Sequence, residues 1–221
     1  MSAAHLTEVL EELYQKLWEA FGPQGWWPGE TPFEVALGAI LTQNTNWNNV
    51  ARVIAALKER GLLGPGALRE LPEPQLAQML RPVGYYNVKA RRVTNFLRFL
   101  QEEAQDDLEA LALRELEDLR PRLLTVKGIG PETADSILLY ALGKPTFVVD
   151  AYTFRVLSRH GLVEEACSYE ELRQFFMSRL PPSVPLFKEY HALLVKLGKD
   201  FCRPRPRCPE CLLADWRHPT F

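Results

Sequence analysis

The chain holds no run of about 18 apolar residues, the length a helix needs to cross a bilayer, so no membrane span is expected. Its start, MSAAHLTEVLEELY, lacks the basic beginning and apolar stretch of a secretory leader, which points to a reducing, cytoplasmic (nucleoid-associated) setting. An excess of one charge is missing too: 26 Lys and Arg stand against 28 Asp and Glu, a net charge of -2. Global attraction to nucleic acid is thereby excluded, and any DNA affinity has to come from local patches and backbone amides. Alternating strands, long repeats and low-complexity linkers are absent, so any domain division is discontinuous rather than sequential. With no coiled-coil seam, a monomer is the default expectation. What remains is ordinary for a globular chain, 221 residues with 47% apolar and 24% charged content, and a metabolic enzyme is still compatible with it.

Apolar spacing is helical nearly everywhere. Leu6, Val9, Leu10, Leu13 and Leu17 share one stripe and predict a first helix ending before the loop from Gly22 to Pro28. Thr31, Pro32, Phe33 and Glu34 read as a capping box with proline at the first helical position, opening a helix to about Thr42. Further helices are predicted over about Asn46 to Arg60, Pro74 to Leu80, Asn87 to Glu103, Leu113 to Thr125 and Pro131 to Leu142. Ala151 to Arg159, Ser168 to Leu180 and Leu186 to Phe201 complete an all-α set, with Ser168 and Glu171 as another capping box.

One segment concentrates the chemistry. In LLTVKGIGPETA, Gly128 and Gly130 flank Ile129, so the backbone can turn tightly and expose its amides. Pro131 and Glu132 then open a helix, and a glycine turn ending at a helix N-terminus is a phosphate seat. Asp150 follows in VVDAYTFR. These two motifs in register resemble the helix-hairpin-helix and "GPD" region of the endonuclease III superfamily of DNA glycosylases. The resemblance covers almost the whole chain. It implies two helical modules with a DNA-binding cleft between them: residues 31–133, ending in the hairpin, and a discontinuous module of 1–30 with 134–221 that carries Asp150 and the C-terminal cysteine loop. Lys127, Gly128 and Gly130 would then contact the DNA backbone.

Asp150 is the candidate catalytic residue. Breaking an N-glycosidic bond develops positive charge on the deoxyribose, which a fixed carboxylate stabilises while it orients or deprotonates water. Taken alone, Asp150 reads better as the N-cap of the helix from Ala151; both roles are compatible, and the match of VVDAYTFR to the superfamily's aspartate motif implies the catalytic one. Bifunctional members of the superfamily carry a lysine two residues after the second hairpin glycine, which attacks the sugar as a Schiff-base nucleophile. Glu132 occupies that position here, and a carboxylate forms no imine. A monofunctional glycosylase without efficient AP-lyase activity follows.

Trp26 and Trp27 in a WWP loop, and Trp47 after LTQNTN, form the candidate base pocket. Large rings stack on a flipped base, more strongly when the base is cationic, although core packing is the commoner fate of tryptophan. WWP and LTQNT resemble the 3-methyladenine glycosylase branch, which also lacks the hairpin lysine. The resemblance further assigns DNA intercalation to Gln43 and Tyr85, which would fill the gap left by the flipped base. The alternatives are a helix C-terminal hydrogen bond for Gln43 and a half-buried surface ring for Tyr85. Lys89, Arg91 and Arg92 read as a solvated face with one phosphate contact among them.

Cys202, Cys208 and Cys211 form C-x5-C-x2-C, and clustered thiols in such a chain suggest metal rather than disulfide. Endonuclease III relatives hold a [4Fe-4S] cluster there with C-x6-C-x2-C-x5-C. This chain is one residue shorter in the first gap and has Arg217 at the fourth position, with His218 beside it as a candidate ligand. Zinc on the same four residues, or no metal, are the alternatives. Cys167 has no assigned role. Arg203, Arg205 and Arg207 add a local basic patch.

The function implied is a monofunctional DNA glycosylase of base excision repair, acting on double-stranded DNA that carries a damaged base, with alkylated purines such as 3-methyladenine as substrates. The alternatives are a glycosylase for oxidised or mismatched pyrimidines, and a helix-hairpin-helix DNA-binding protein without turnover. Retention of Asp150 speaks against the last, because a carboxylate facing DNA repels phosphate.

Overall fold

The expectation of an all-α chain is borne out in the computed structural model, which describes residues 3–216; no strand occurs among them. The helices are α1 (Ala3–Phe21), α2 (Pro32–Leu41), α3 (Trp47–Glu59), α4 (Pro65–Arg69), α5 (Glu73–Met79), α6 (Tyr86–Ala104), α7 (Leu108–Ala112), α8 (Leu116–Thr125), α9 (Pro131–Ser136), α10 (Ala151–Arg159), α11 (Tyr169–Met177) and α12 (Val184–Asp200). α4 and α7 were not expected. Each has five residues, too few to display a 3.6-residue period. The helix expected from Leu113 starts at Leu116 instead. The expected helix Pro131 to Leu142 is α9 followed by a wider π turn over Ile137–Ala141.

Caps account for the starts. Thr31 accepts the amide of Glu34, but the Glu34 carboxylate accepts from the Glu30 amide, so only half of the expected box forms. Ser168 and Glu171 close a complete box at α11.

The chain divides into two compact units, residues 1–26 with 145–221, and 27–144. In the 27–144 unit one core runs from Phe33 to Leu142, and α2 lies nearly wholly inside it, from Phe33 to Leu41. In the other unit, the stripe Leu6, Val9, Leu10, Leu13 and Leu17 of α1 is buried as its spacing predicts. Phe147 stacks on Phe176 with centroids 3.8 Å apart, and the buried Tyr190 donates its hydroxyl to the Leu10 carbonyl at 2.8 Å. Gly198 of α12 lies against Tyr152 of α10; a Cβ there would fall 2.4 Å from the Tyr152 ring. That close approach of α10 to α12 sets the environment of Asp150.

Candidate active site

In the 27–144 unit, α8 and α9 are joined by a tight turn in which Gly128 has φ +99° and Ile129 is buried. A side chain at 128 would be strained and would also meet the Arg92 stem at 2.4 Å, so this glycine is required twice over. Gly130 caps α9 and has open space beside it, while Lys127 and Glu132 are exposed. The two helices are locked by Arg120 of α8 and the fully buried Asp135 of α9, paired through two hydrogen bonds of 2.8 and 2.9 Å. Sequence reasoning missed this pair, because nothing in the charge pattern separates it from solvated residues.

Gln43 is tied to this hairpin. Its Nε2 donates to Thr133 Oγ1 at 2.7 Å and to the Gly128 carbonyl at 3.3 Å, and its Oε1 accepts from Arg92. The helix C-terminal bond considered for Gln43 is made by Thr42 instead, whose hydroxyl donates to the Gly38 carbonyl at 2.6 Å. Tyr85 is 73% exposed and holds a left-handed backbone at φ +45° and ψ +33°. It is displayed rather than half-buried. Lys89 corrects the solvated-face reading outright: it is 1% exposed, and its ammonium donates to the carbonyls of Leu41 and Val83. The signal was present, since Lys89 lies four residues before Val93 and seven before Phe96 on the buried stripe of α6.

Trp27 and Trp47 meet edge to face, with centroids 5.5 Å apart and planes at 88°. Both are half-buried and lie over Gly38 of α2, where an added Cβ would fall 3.1 Å from Trp27 Nε1 and 3.3 Å from the Trp47 ring. Trp26 belongs to the other unit. It stacks on His191 with centroids 5.8 Å apart and carries the Lys199 ammonium 5.1 Å from its ring centre. His191 and Lys199 are eight residues apart on α12, a rise of about 12 Å. Both contacts of the indole therefore come from one helix.

Asp150 ends the extended segment before α10 and is that helix's N-cap. Its Oδ1 accepts the amide of Thr153 at 2.8 Å and the Thr153 hydroxyl at 3.0 Å. Its Oδ2 faces the buried His191, with Nε2 at 3.5 Å. The side chain is 13% exposed. Burial works to raise the carboxyl pKa, but His191 and the two Thr153 donors outweigh it and hold the group below the usual carboxylate range. Asp150 is thus ionised at neutral pH. Sequence reasoning did not single out His191, a lone histidine on an apolar helix with no motif around it.

Cys202, Cys208 and Cys211 line one cavity of about 380 Å³ with Arg159 and His160. Burial raises the Cys211 thiol pKa, and the neighbouring Cys202 and Cys208 add to that, while the Leu213 amide acts against it. Arg155 donates to the Cys202 carbonyl at 2.7 Å, and Arg159 to the carbonyls of Arg203 and Pro204 at 2.6 and 3.1 Å, so α10 clamps the loop. By donor type the loop fits an iron–sulfur group at three of four positions. Among the described residues no group of three or more His, Cys, Asp or Glu is placed to hold a metal ion. Arg217 and His218 lie outside the described residues. Cys167 lines a separate cavity with Leu162, Glu171 and Phe175.

A family model for HhH-GPD superfamily base excision DNA repair proteins matches residues 37–182. The chain belongs to this superfamily. A Methanocaldococcus jannaschii protein, MJ1434, whose name gives DNA repair glycosylase as a provisional assignment, is 43% identical over 95% of this chain and 96% of its own. Endonuclease III of Sulfolobus acidocaldarius is 28% identical over 83% of this chain and 80% of its own. Among solved structures, the Helicobacter pylori 3-methyladenine DNA glycosylase MagIII bound to 1,N6-ethenoadenine is 29% identical, with a TM-score of 0.73 over 90% of this chain and 98% of that one. A trapped endonuclease III–DNA covalent intermediate shares the fold, with a TM-score of 0.80 at 23% identity over 97% of this chain and 95% of that one. The chain is therefore an HhH-GPD DNA glycosylase of base excision repair. No helix among the described residues is long and apolar enough to cross a membrane.

Proposed function

We propose that this glycosylase is monofunctional and hydrolyses the N-glycosidic bond of a flipped alkylated purine, such as 3-methyladenine, in double-stranded DNA. The carrying observation is Asp150, an ionised, sheltered carboxylate whose Oδ1 is occupied by the helix cap and whose Oδ2 faces His191 at 3.5 Å. That carboxylate stabilises the positive charge growing on the deoxyribose as the bond to the base breaks, and it orients water toward C1′. Water adds its oxygen to C1′ and releases a proton. The base departs with the bonding electrons, and because an N3-alkylated adenine is already cationic it leaves neutral without being protonated first. Glu132 supplies no amine, so no imine forms and the strand stays intact.

The division of labour follows the sequence reading. The hairpin unit binds the DNA backbone through Lys127, Gly128 and Gly130 and inserts Gln43 and Tyr85 into the stack. The paired rings of Trp27 and Trp47 supply the aromatic surface for a cationic base, which the MagIII likeness also supports. In the other unit Trp26, read from the sequence as a base-pocket ring, buttresses His191 and carries Lys199. Cys202, Cys208 and Cys211, with His218, would hold a [4Fe-4S] cluster that supplies a structural group rather than a reacting one. Iron analysis and broad visible absorption of the purified protein test that part; colourless protein containing zinc or no metal overturns it.

The test of the function uses methylated duplex DNA alongside duplexes carrying an oxidised pyrimidine or a mismatch, with free base and strand scission scored separately. The expected result is release of methylated purine without nicking. Release of pyrimidine alone, or nicking without added alkali, contradicts it.

A further inference from the structure

We propose that Lys89 is a positioning residue that sets the spacing of the two side chains inserted into DNA. The proposal rests on the reading of Gln43 and Tyr85 as those side chains. A lysine in the first turn of α6 is badly placed by every general criterion: the helix N-terminus repels a cation, and burial removes its hydration. Desolvation, with Arg92 adding to it, lowers its pKa to about 8. What holds it there is a pair of carbonyls, Leu41 at 2.9 Å and Val83 at 2.7 Å. Leu41 closes α2 and Val83 closes the short 3-10 turn Arg81–Val83, so both carbonyls come from chain ends that lack a continuing helix to satisfy them.

Each carbonyl lies two residues before an inserting side chain: Leu41 before Gln43, and Val83 before Tyr85. One nitrogen atom therefore joins the roots of both. Lys89 also brackets Tyr85 from its far side, because the Lys89 backbone amide donates to the Tyr85 carbonyl at 2.9 Å. That bracket matters because Tyr85 sits in the left-handed region, a conformation a non-glycine residue keeps only when its surroundings enforce it. One turn along α6, Arg92 holds the Gln43 amide itself. On the reading adopted above, both side chains fill the gap behind a flipped base. Fixing their roots beforehand removes the ordering cost from the moment of insertion.

The probe is a duplex holding a tetrahydrofuran abasic-site analogue beside 2-aminopurine, whose fluorescence reports insertion into the stack, against the same duplex undamaged. Lys89→Met is expected to leave affinity for undamaged duplex within a few-fold, since hairpin contacts set it, and to weaken analogue-specific binding and its fluorescence change by about 10²-fold. Lys89→Gln, which can still reach one carbonyl, falls between and serves if the methionine variant does not fold. Leu97→Ala, a cavity in the same helix, lowers Tm but keeps the ratio of analogue to undamaged binding. Equal loss on both duplexes, or no loss, overturns the proposal. Gln43→Ala and Tyr85→Ala run in parallel. If neither lowers the ratio, the insertion reading fails; if both do and Lys89→Met does not, the positioning role alone fails.

Discussion

The pair Arg120–Asp135 in the hairpin unit and the carboxylate of Asp150 in the other unit are both sheltered charges, and they are satisfied in opposite ways. Asp135 is fully buried and spends both oxygens on one guanidinium, at 2.8 and 2.9 Å. Asp150 spends Oδ1 on its own helix and keeps Oδ2 opposite His191 at 3.5 Å, beyond a normal hydrogen bond. A saturated charge is architecture, because its remaining interactions are already made. A charge held ionised with one oxygen under-used is fit to meet a cation that arrives later. Lys89 falls with Asp135 on the architectural side, its donors turned onto two carbonyls.

Breaking the saturated pair should give the largest effect on stability. Arg120→Ala leaves the Asp135 carboxylate buried and unpaired, and chemical denaturation should show a loss of about 3–5 kcal/mol. The base-release rate per folded molecule should fall far less. Next, His191→Leu removes the group that faces Oδ2 and helps to keep Asp150 ionised. Single-turnover base release should fall about 10- to 100-fold. The sign of the pH effect follows from the depressed carboxyl: without His191 it stays protonated to higher pH, so the acidic limb of the kcat/KM profile moves upward. A profile that keeps its position rules out this role for His191.

Glu132→Lys sharpens the same contrast at an exposed site. It supplies the amine that the wild type lacks, so borohydride should trap a covalent adduct with the variant and none with the wild-type protein. Trapping of wild type overturns the reading of Glu132. Smallest is Gly38→Ala, whose Cβ would press on Trp27 Nε1 at 3.1 Å and on the Trp47 ring at 3.3 Å. We expect about 1 kcal/mol of lost stability and a few-fold lower release of methylated purine.

How much of this was legible in the sequence follows from the physics of each signal. Long amphipathic helices such as α1 and α6 declare themselves by period, and Thr31 and Ser168 mark the starts of α2 and α11. The hairpin glycines and Asp150 were legible as motifs, because a tight turn and a fixed carboxylate each demand particular residues at particular spacing. Arg120 and Asp135 were not, since charged side chains read as solvated until a partner from a distant segment is known; Lys89 was legible only through its place on the apolar stripe of α6. The environment of Trp26 was equally hidden. Its neighbours His191 and Lys199 lie more than 160 residues along the chain, and no local pattern encodes that approach.

The most direct test is Asp150→Asn, assayed by single-turnover release of methylated purine together with Tm and affinity for duplex DNA. Asparagine is as good an N-cap as aspartate, so the fold and DNA binding should persist while base release falls by at least about 10²–10³-fold. Full base release by a folded Asp150→Asn protein would contradict the account.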